Sequence, residues 1–212
     1  MTKQDWTFDG MGTRFDAHVR NHLPWYDLAT DAIALIARHY IPQNGLVYDI
    51  GASTGNIGRS LGATLEERDA KLIAIENVQD MAARYQAPGE IVITDALTYD
   101  YQPYDMAILF LTIMFLPVSE RSHYIKRLRS KCRPGGAILI VDKCIPPPGY
   151  EGTIFARLTW AEKLKAGVSG DEIVQKELSL AGIQRPITVN ELGYNIIELF
   201  RFGDFAGWLI PM

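Results

Sequence analysis

The stretch that most restricts this chain is residues 45–58, "GLVYDIGASTGNIG". An apolar run ends at Ile50 and passes into a turn carrying Gly51, Gly55 and Gly58. A segment with Ile57, Leu61 and Leu65 on one helical face follows. Glycines between a buried strand and a helix let the backbone come close to a ligand, with the helix N-terminus beside it. Such a unit calls for a sheet covered by helices.

The rest of the chain repeats the pattern. Apolar runs predict strands at 46–50, 72–76, 91–94, 105–111 and 137–142, and helical spacing predicts helices at 56–65, 78–86 and 119–132. In the last helix Ser119 is the expected N-cap, Ile125, Leu128 and Cys132 form the buried stripe, and "RPGG" is the stop. Upstream, Leu28, Ala32, Leu35, Ile36 and His39 fall at helical spacing, with His39 read as structural. After "CIPPPGYEG", residues 152–181 read as two helices, and Phe155, Trp160 and Leu164 are expected to pack within them. Two β-prone runs around Gly203–Asp204 predict a closing antiparallel hairpin. The expected fold class is α/β, a doubly wound, mostly parallel sheet ending in that hairpin. One domain is expected: a helical cap at 1–45, a core at 46–145 and 193–212, and a helical insertion at 146–192.

Composition narrows the function classes. A net charge of −4 argues against a general nucleic-acid binder, and 48% hydrophobic residues in 212 suffice for a core. The apolar run from Met106 falls short of the roughly 20 residues a membrane span needs. "MTKQDWTFDG" has no apolar signal region, and the two cysteines, Cys132 and Cys144, show no metal-type pairing with His18, His22, His39 or His123. A cytoplasmic, reduced protein without a metal is the expectation.

The glycines do not form the G-x-G-x-x-G of a dinucleotide site, so a nicotinamide cofactor is the least favoured ligand. Acids instead stand at the ends of three consecutive predicted strands: Asp49, Glu76 and Asp95. Such ends line the crevice where open α/β sheets bind ligands. Glu76 suits a ribose and Asp95 an adenine amino group, so the set suits S-adenosyl-L-methionine.

The pattern D-x-G-x-S-x-G, the acid ending the second strand and "RPGGAILIVD" resemble the class I S-adenosylmethionine-dependent methyltransferases. "DWTFD", "LPWY", "VYDIGASTG", "IAIEN", "LTIMFLPVSER", "PGGAILIVDK" and "DEIVQK" are similar, in order and context, to the carboxy-S-adenosylmethionine synthases. That resemblance covers nearly the whole chain, with a shorter segment around 183–192. It implies seven strands, a homodimer, and cofactor contacts from Tyr26, Gly51, Ala52, Ser53, Glu76, Asn77, Asp95 and Ala96. Asp49 and Gly55 complete the loop. At Glu76 the family commonly has Asp. Phe110 replaces an Asn of the family beside the cofactor, and Glu177 replaces an Arg. Lys143, Arg157 and Lys176 are the candidate substitutes for that lost cation in the substrate region. Phe115 is expected in the core with Phe110 and Met114, and the run Lys126, Arg127, Arg129, Lys131 on a solvated face.

The leading functional reading is an enzyme transferring the sulfonium methyl group to a small molecule. In-line attack on a sulfonium leaves the protein mainly positioning work, and no catalytic residue is singled out. The alternative is carboxy-S-adenosylmethionine synthesis from S-adenosylmethionine and prephenate, with carboxy-S-adenosyl-L-methionine as bound product. A non-catalytic S-adenosylmethionine-binding module is the second alternative.

Overall fold

The computed structural model describes residues 15–212. "DWTFD" and the first part of the expected cap lie outside them. The helices are α1 (Phe15–His22), α2 (Tyr26–Ala37), α3 (Asn56–Glu67), α4 (Gln79–Ala82), α5 (Val118–Lys131), α6 (Tyr150–Lys165), α7 (Gly170–Ser179) and α8 (Val189–Leu192). The strands are β1 (Leu46–Ile50), β2 (Lys71–Glu76), β3 (Glu90–Ile93), β4 (Tyr104–Phe110), β5 (Cys132–Lys143), β6 (Ile197–Phe202) and β7 (Phe205–Pro211). They form one sheet in the order β3-β2-β1-β4-β5-β7-β6. The first five run parallel, while β7 is antiparallel to both β5 and β6. The expected doubly wound α/β sheet and its terminal hairpin are therefore present.

Strands β1, β4 and β5 read as continuous apolar runs because both sheet faces are covered. One face packs Ile33, Ala37, Leu61 and Leu65 from α2 and α3 against Val47, Met106 and Leu139. The other packs Tyr124, Ile125 and Leu128 of α5 against Tyr48, Tyr104 and Ile138. No helix of the described residues is long and apolar enough to cross a membrane.

Several local expectations are corrected. The buried face of α2 is Tyr26, Ala29, Thr30, Ile33 and Ala37, while Leu28, Leu35 and His39 are exposed. Alanines let the helix sit close to the sheet, which decides the face over side-chain size. The segment after β2 is helical only over Gln79–Ala82, and the N-cap of α5 is Pro117, with Ser119 inside the helix. "RPGG" does not separate α5 from the next strand. It forms the start of β5, looping out between the Tyr104–Cys132 and Met106–Ala137 pairs, with Gly135 at φ +81°. Cys132 thus begins a strand and is only half-buried. Within the basic run Arg127 and Arg129 are half-buried, donating to the carbonyls of Ala96 and Tyr194. In α6 Trp160 and Leu164 are about half exposed, and the buried side chains are Thr159 and Lys163.

A buried arginine secures the loop after β4. Arg121 donates to the carbonyls of Leu116, Met114 and Arg185 at 3.1, 3.2 and 2.8 Å and pairs with Glu191 at 3.2 Å. Glu191 also closes a capping box with Thr188 at the start of α8. Removing the guanidinium strands buried acceptors and a carboxylate together. Arg121→Met is expected to cost about 3 kcal/mol in urea unfolding, and Arg121→Lys to recover little, because one ammonium does not reach all four acceptors.

Candidate cofactor and substrate site

The sheet order reverses at β1, which has β2 on one side and β4 on the other. The loops after these strands part there and open a cavity. Gly51 has φ +75°, and a Cβ on it would meet the Thr112 side chain. Only glycine fits at that turn. The Gly51 and Ala52 N–H groups both donate to the Ile75 carbonyl at 2.8 and 3.0 Å, tying the turn to the end of β2. The Ser53 N–H donates to Glu76 Oε2, and the Val78 N–H to Glu76 Oε1, both at 2.8 Å. Glu76 is thus held by backbone on both oxygens, and each keeps a second lone pair for a ligand hydroxyl.

Asp49 sits below the turn, 1% exposed, and accepts from the Gly58 N–H while its Oδ2 has no partner among the described residues. Burial pushes its carboxyl up to about 7, with Glu76 adding to the effect, against the Gly58 N–H and Arg59. A bound ammonium would supply the missing partner. Asp142, wholly buried at the end of β5, is likewise pushed up to about 7 by burial, although it accepts from the Lys143, Ile113 and Met114 N–H groups. It orients the loop after β4.

The cavity wall includes Tyr26, Asp49, Gly51, Ala52 and Ser53 from the first elements, and Glu76, Asn77, Asp95 and Ala96 beyond β2 and β3. Asp95 is exposed and accepts from the Leu97 N–H at 2.8 Å. Phe110 also faces the cavity, its ring edge-on to Tyr26 at 5.2 Å. Phe115 is half-buried and lines the cavity, and Met114 lines it too, so neither is purely core. Gly55 stands outside the wall. With φ +94° it starts α3, where a Cβ would press on Ala87 and Tyr85.

At the opposite end the insertion closes over the site. Glu177 points into the cavity, where Lys143 Nζ lies 3.3 Å and Lys163 Nζ 3.1 Å from its carboxylate. Burial works against the charged form, but the two ammoniums outweigh it and hold Glu177 below its ordinary value. Lys143 also approaches Gln184 at 3.3 Å and Asp204 at 3.6 Å. Lys176 lines the same end, its amine lowered to about 8 by burial and the nearby Lys163. Arg157 is exposed and takes no part in the wall. Lys163, which takes the place expected of it, was hidden in sequence because a buried lysine on a helix reads as a solvated one.

The expectation that the histidines lack ligand spacing is also corrected. His18 and His22, four residues apart on α1, both face the cavity, with ring centroids 4.3 Å apart. His22 bonds Glu172 of α7 at 3.0 Å, and His18 bonds Lys176 at 2.8 Å. Helix α1 is pinned there by Asp16, which accepts from Thr54 at 2.7 Å and pairs with Arg59 at 3.4 Å. Burial, then the Lys176 ammonium, brings His18 down to about 4 and lowers His22.

An open sheet of this order, with its glycine turn at the reversal point, has the architecture of the class I methyltransferases. The plantazolicin methyltransferase BpumL in complex with SAH superposes with a TM-score of 0.64, covering 99% of this chain and 93% of that one at 13% identity. The DhpI–SAH complex gives 0.58, with 94% and 90% covered at 14% identity. In sequence, the chain is similar to curated carboxy-S-adenosyl-L-methionine synthases. That of Staphylococcus epidermidis is 26% identical over 210 residues, covering 96% of this chain and 91% of the relative. That of Pectobacterium atrosepticum is 29% identical over 189 residues, covering 84% and 76%. No family model matches the chain.

Asp49 generates a pH prediction. Its folded pKa of about 7 lies above the roughly 3.9 of an unfolded aspartate, so the native state binds the extra proton between those values. The stability due to that proton is complete below the unfolded value and is lost as pH rises through about 7. Measured against Asp49→Asn, wild type is expected to lose about 4 kcal/mol over that window in urea unfolding. A constant difference would contradict the assignment. Comparison with the variant cancels the opposite slope contributed by the lowered histidines.

Proposed function

We propose that the protein is an S-adenosylmethionine-dependent transferase whose second substrate is a small acidic molecule. The observation that carries this reading is one cavity with two chemically opposed ends. At one end, the Gly51–Ser53 turn and the Asp49 and Glu76 carboxylates face it. At the other stand Lys143, Lys163 and Lys176. The first end suits the ammonium and ribose of S-adenosylmethionine, and the buried, unpartnered Asp49 Oδ2 fits that ammonium. The superposed BpumL and DhpI structures are complexes with SAH, and the curated relatives are carboxy-S-adenosyl-L-methionine synthases, which supports the same cofactor here. When bound, it supplies a sulfonium-activated methyl group. The protein's part is to hold the cofactor, bring an acceptor in line and keep water out. In the wall of the second end itself three lysines face one carboxylate, Glu177, while Asp204 and Glu172 sit behind them, so the surface offered to a ligand favours a carboxylate-bearing acceptor.

Methyl transfer is the primary reading. Carboxy-S-adenosylmethionine synthesis from prephenate is the second, favoured by the names shared among the curated relatives. In that reaction prephenate would lose carbon dioxide and its ring hydroxide, the hydroxide would leave with the methyl proton as water, the carboxyl would join the methyl carbon, and a cation would have to hold the new carboxylate. Here Glu177 takes up Lys143 and Lys163, so Lys176 is the cation nearest to hand.

Calorimetric titration is expected to show saturable binding of S-adenosylmethionine and none comparable for NAD. Affinity should increase as pH rises through about 7, because Asp49 must lose its proton to meet the ammonium. Asp49→Asn should bind more weakly and without that dependence. Absence of saturable S-adenosylmethionine binding would overturn the reading. Mass spectrometry of the small molecule released from freshly purified protein separates the two reactions. S-adenosylmethionine or its demethylated product supports methyl transfer, and a sulfonium heavier by one carbon dioxide supports the synthase.

A further inference from the structure

The cluster where α1 meets α7 is built from metal-ligand chemistry. We propose that His18, His22 and Glu172 form a site for a divalent transition-metal ion, with zinc and cobalt as the best matched, at the rim of the substrate end of the cavity. One nitrogen from each imidazole and one Glu172 oxygen all lie within 4.8 Å of one another. The two histidines are spaced i, i+4 on one helix, which puts both rings on the same face. The third donor comes from a helix packed across from them. His22 Nε2 and Glu172 Oε1, at 3.0 Å, are already close to the roughly 3.3 Å that separates two ligands in a tetrahedral zinc shell. His18 must close a gap of up to about 1.5 Å, a rotamer-scale movement for a half-buried side chain.

The arrangement already holds a cation. The Lys176 ammonium sits 2.8 Å from His18 Nε2, and Glu172 is four residues before it on α7. Metal binding therefore exchanges one cation for another, and Lys176 moves off His18 into the cavity it lines. Two imidazoles and a carboxylate suit zinc and its neighbours in the first transition row, and give a poor match to magnesium or calcium, which prefer all-oxygen shells. Three protein ligands leave at least one position open in a four-coordinate shell. Since both histidines face the cavity, that position is available to a carboxylate or hydroxyl oxygen of the second substrate. This last role rests on the acidic-acceptor reading above, whereas the site itself does not.

The test needs neither cofactor nor acceptor, so its failure is separable from failure of the proposed activity. Protein treated with a chelator and desalted is titrated with cobalt(II), read by its visible d–d absorption, and with zinc(II), in competition with a chromophoric chelator. One equivalent is expected to bind, with the band intensity of a low-coordinate site. His18→Ala and Glu172→Gln should each weaken binding at least tenfold. Compared with its own metal-free melting temperature, wild type should be raised by zinc and neither variant should be. Lys176→Gln removes the tethered competitor and should tighten binding. No saturable uptake of either ion, equal uptake by all three variants, or weaker uptake in Lys176→Gln would each overturn the proposed ligand set.

Discussion

The hydrogen bonds that join the loop after β1 to the end of β2 hold the site in shape. Three successive N–H groups, from Gly51, Ala52 and Ser53, have no helix to enter, because α3 starts only at Asn56. Two are spent on the Ile75 carbonyl and the third on Glu76. The carboxylate reaches the Val78 N–H as well, so one side chain fixes both loops at the point where the sheet order reverses. This explains a feature that otherwise looks costly. A glutamate 7% exposed, close to the buried Asp49, is tolerated because backbone donors offset its desolvation.

The insertion is attached in a different way. Ile187 and Leu192 anchor its C-terminal end in the core, but α6, α7 and the residues beside them bury only Val168, Ile173 and Leu180, while Ile154, Leu158 and Leu164 are substantially exposed. Polar contacts do much of the fastening. Thr159 donates to Asp204 in the hairpin turn at 2.6 Å, Lys163 and Lys143 meet on Glu177, and His22 meets Glu172. Of these, the Lys143–Glu177–Lys163 bonds line the cavity, and an acidic substrate of the proposed kind would compete for those lysines, so its binding would be coupled to the seating of α7.

Much of the fold was legible because both its periodicities are local. The buried strands read as apolar runs, and Gly51 and Gly203–Asp204 marked turns whose conformation few other residues adopt. Asp49, Glu76 and Asp95 stand out in the sequence for the same reason, as acids that close apolar runs, and all three line the cavity, whereas the fastening of two loops by Glu76 is not visible locally. The misplaced features depend on distant partners. The buried face of α2 follows small residues that allow close approach to the sheet, and "RPGG" lies at the start of β5, where Arg133 meets Asp105 across the ladder at 2.7 Å. Lys163, His18 and Glu172 come from three helices whose meeting point no local pattern encodes. Gly55 lies outside the cavity wall, and its glycine leaves room for Tyr85 and Ala87 at the start of α3.

The replacement of an arginine by Glu177 changes meaning once its neighbours are known. A lone glutamate in a partly dry cleft would repel an anionic group, and the cost rises as water is excluded. Here two ammoniums within 3.3 Å neutralise it, and Lys176 adds a third cation one residue earlier on the same helix. The charge of this end is therefore set by the cluster. A single guanidinium fixes the direction of a bound carboxylate through paired, coplanar bonds. Three lysines around a glutamate fix its sign but allow several orientations. On the proposed reading, an acidic acceptor would be attracted to this end without the fixed geometry that a single guanidinium imposes.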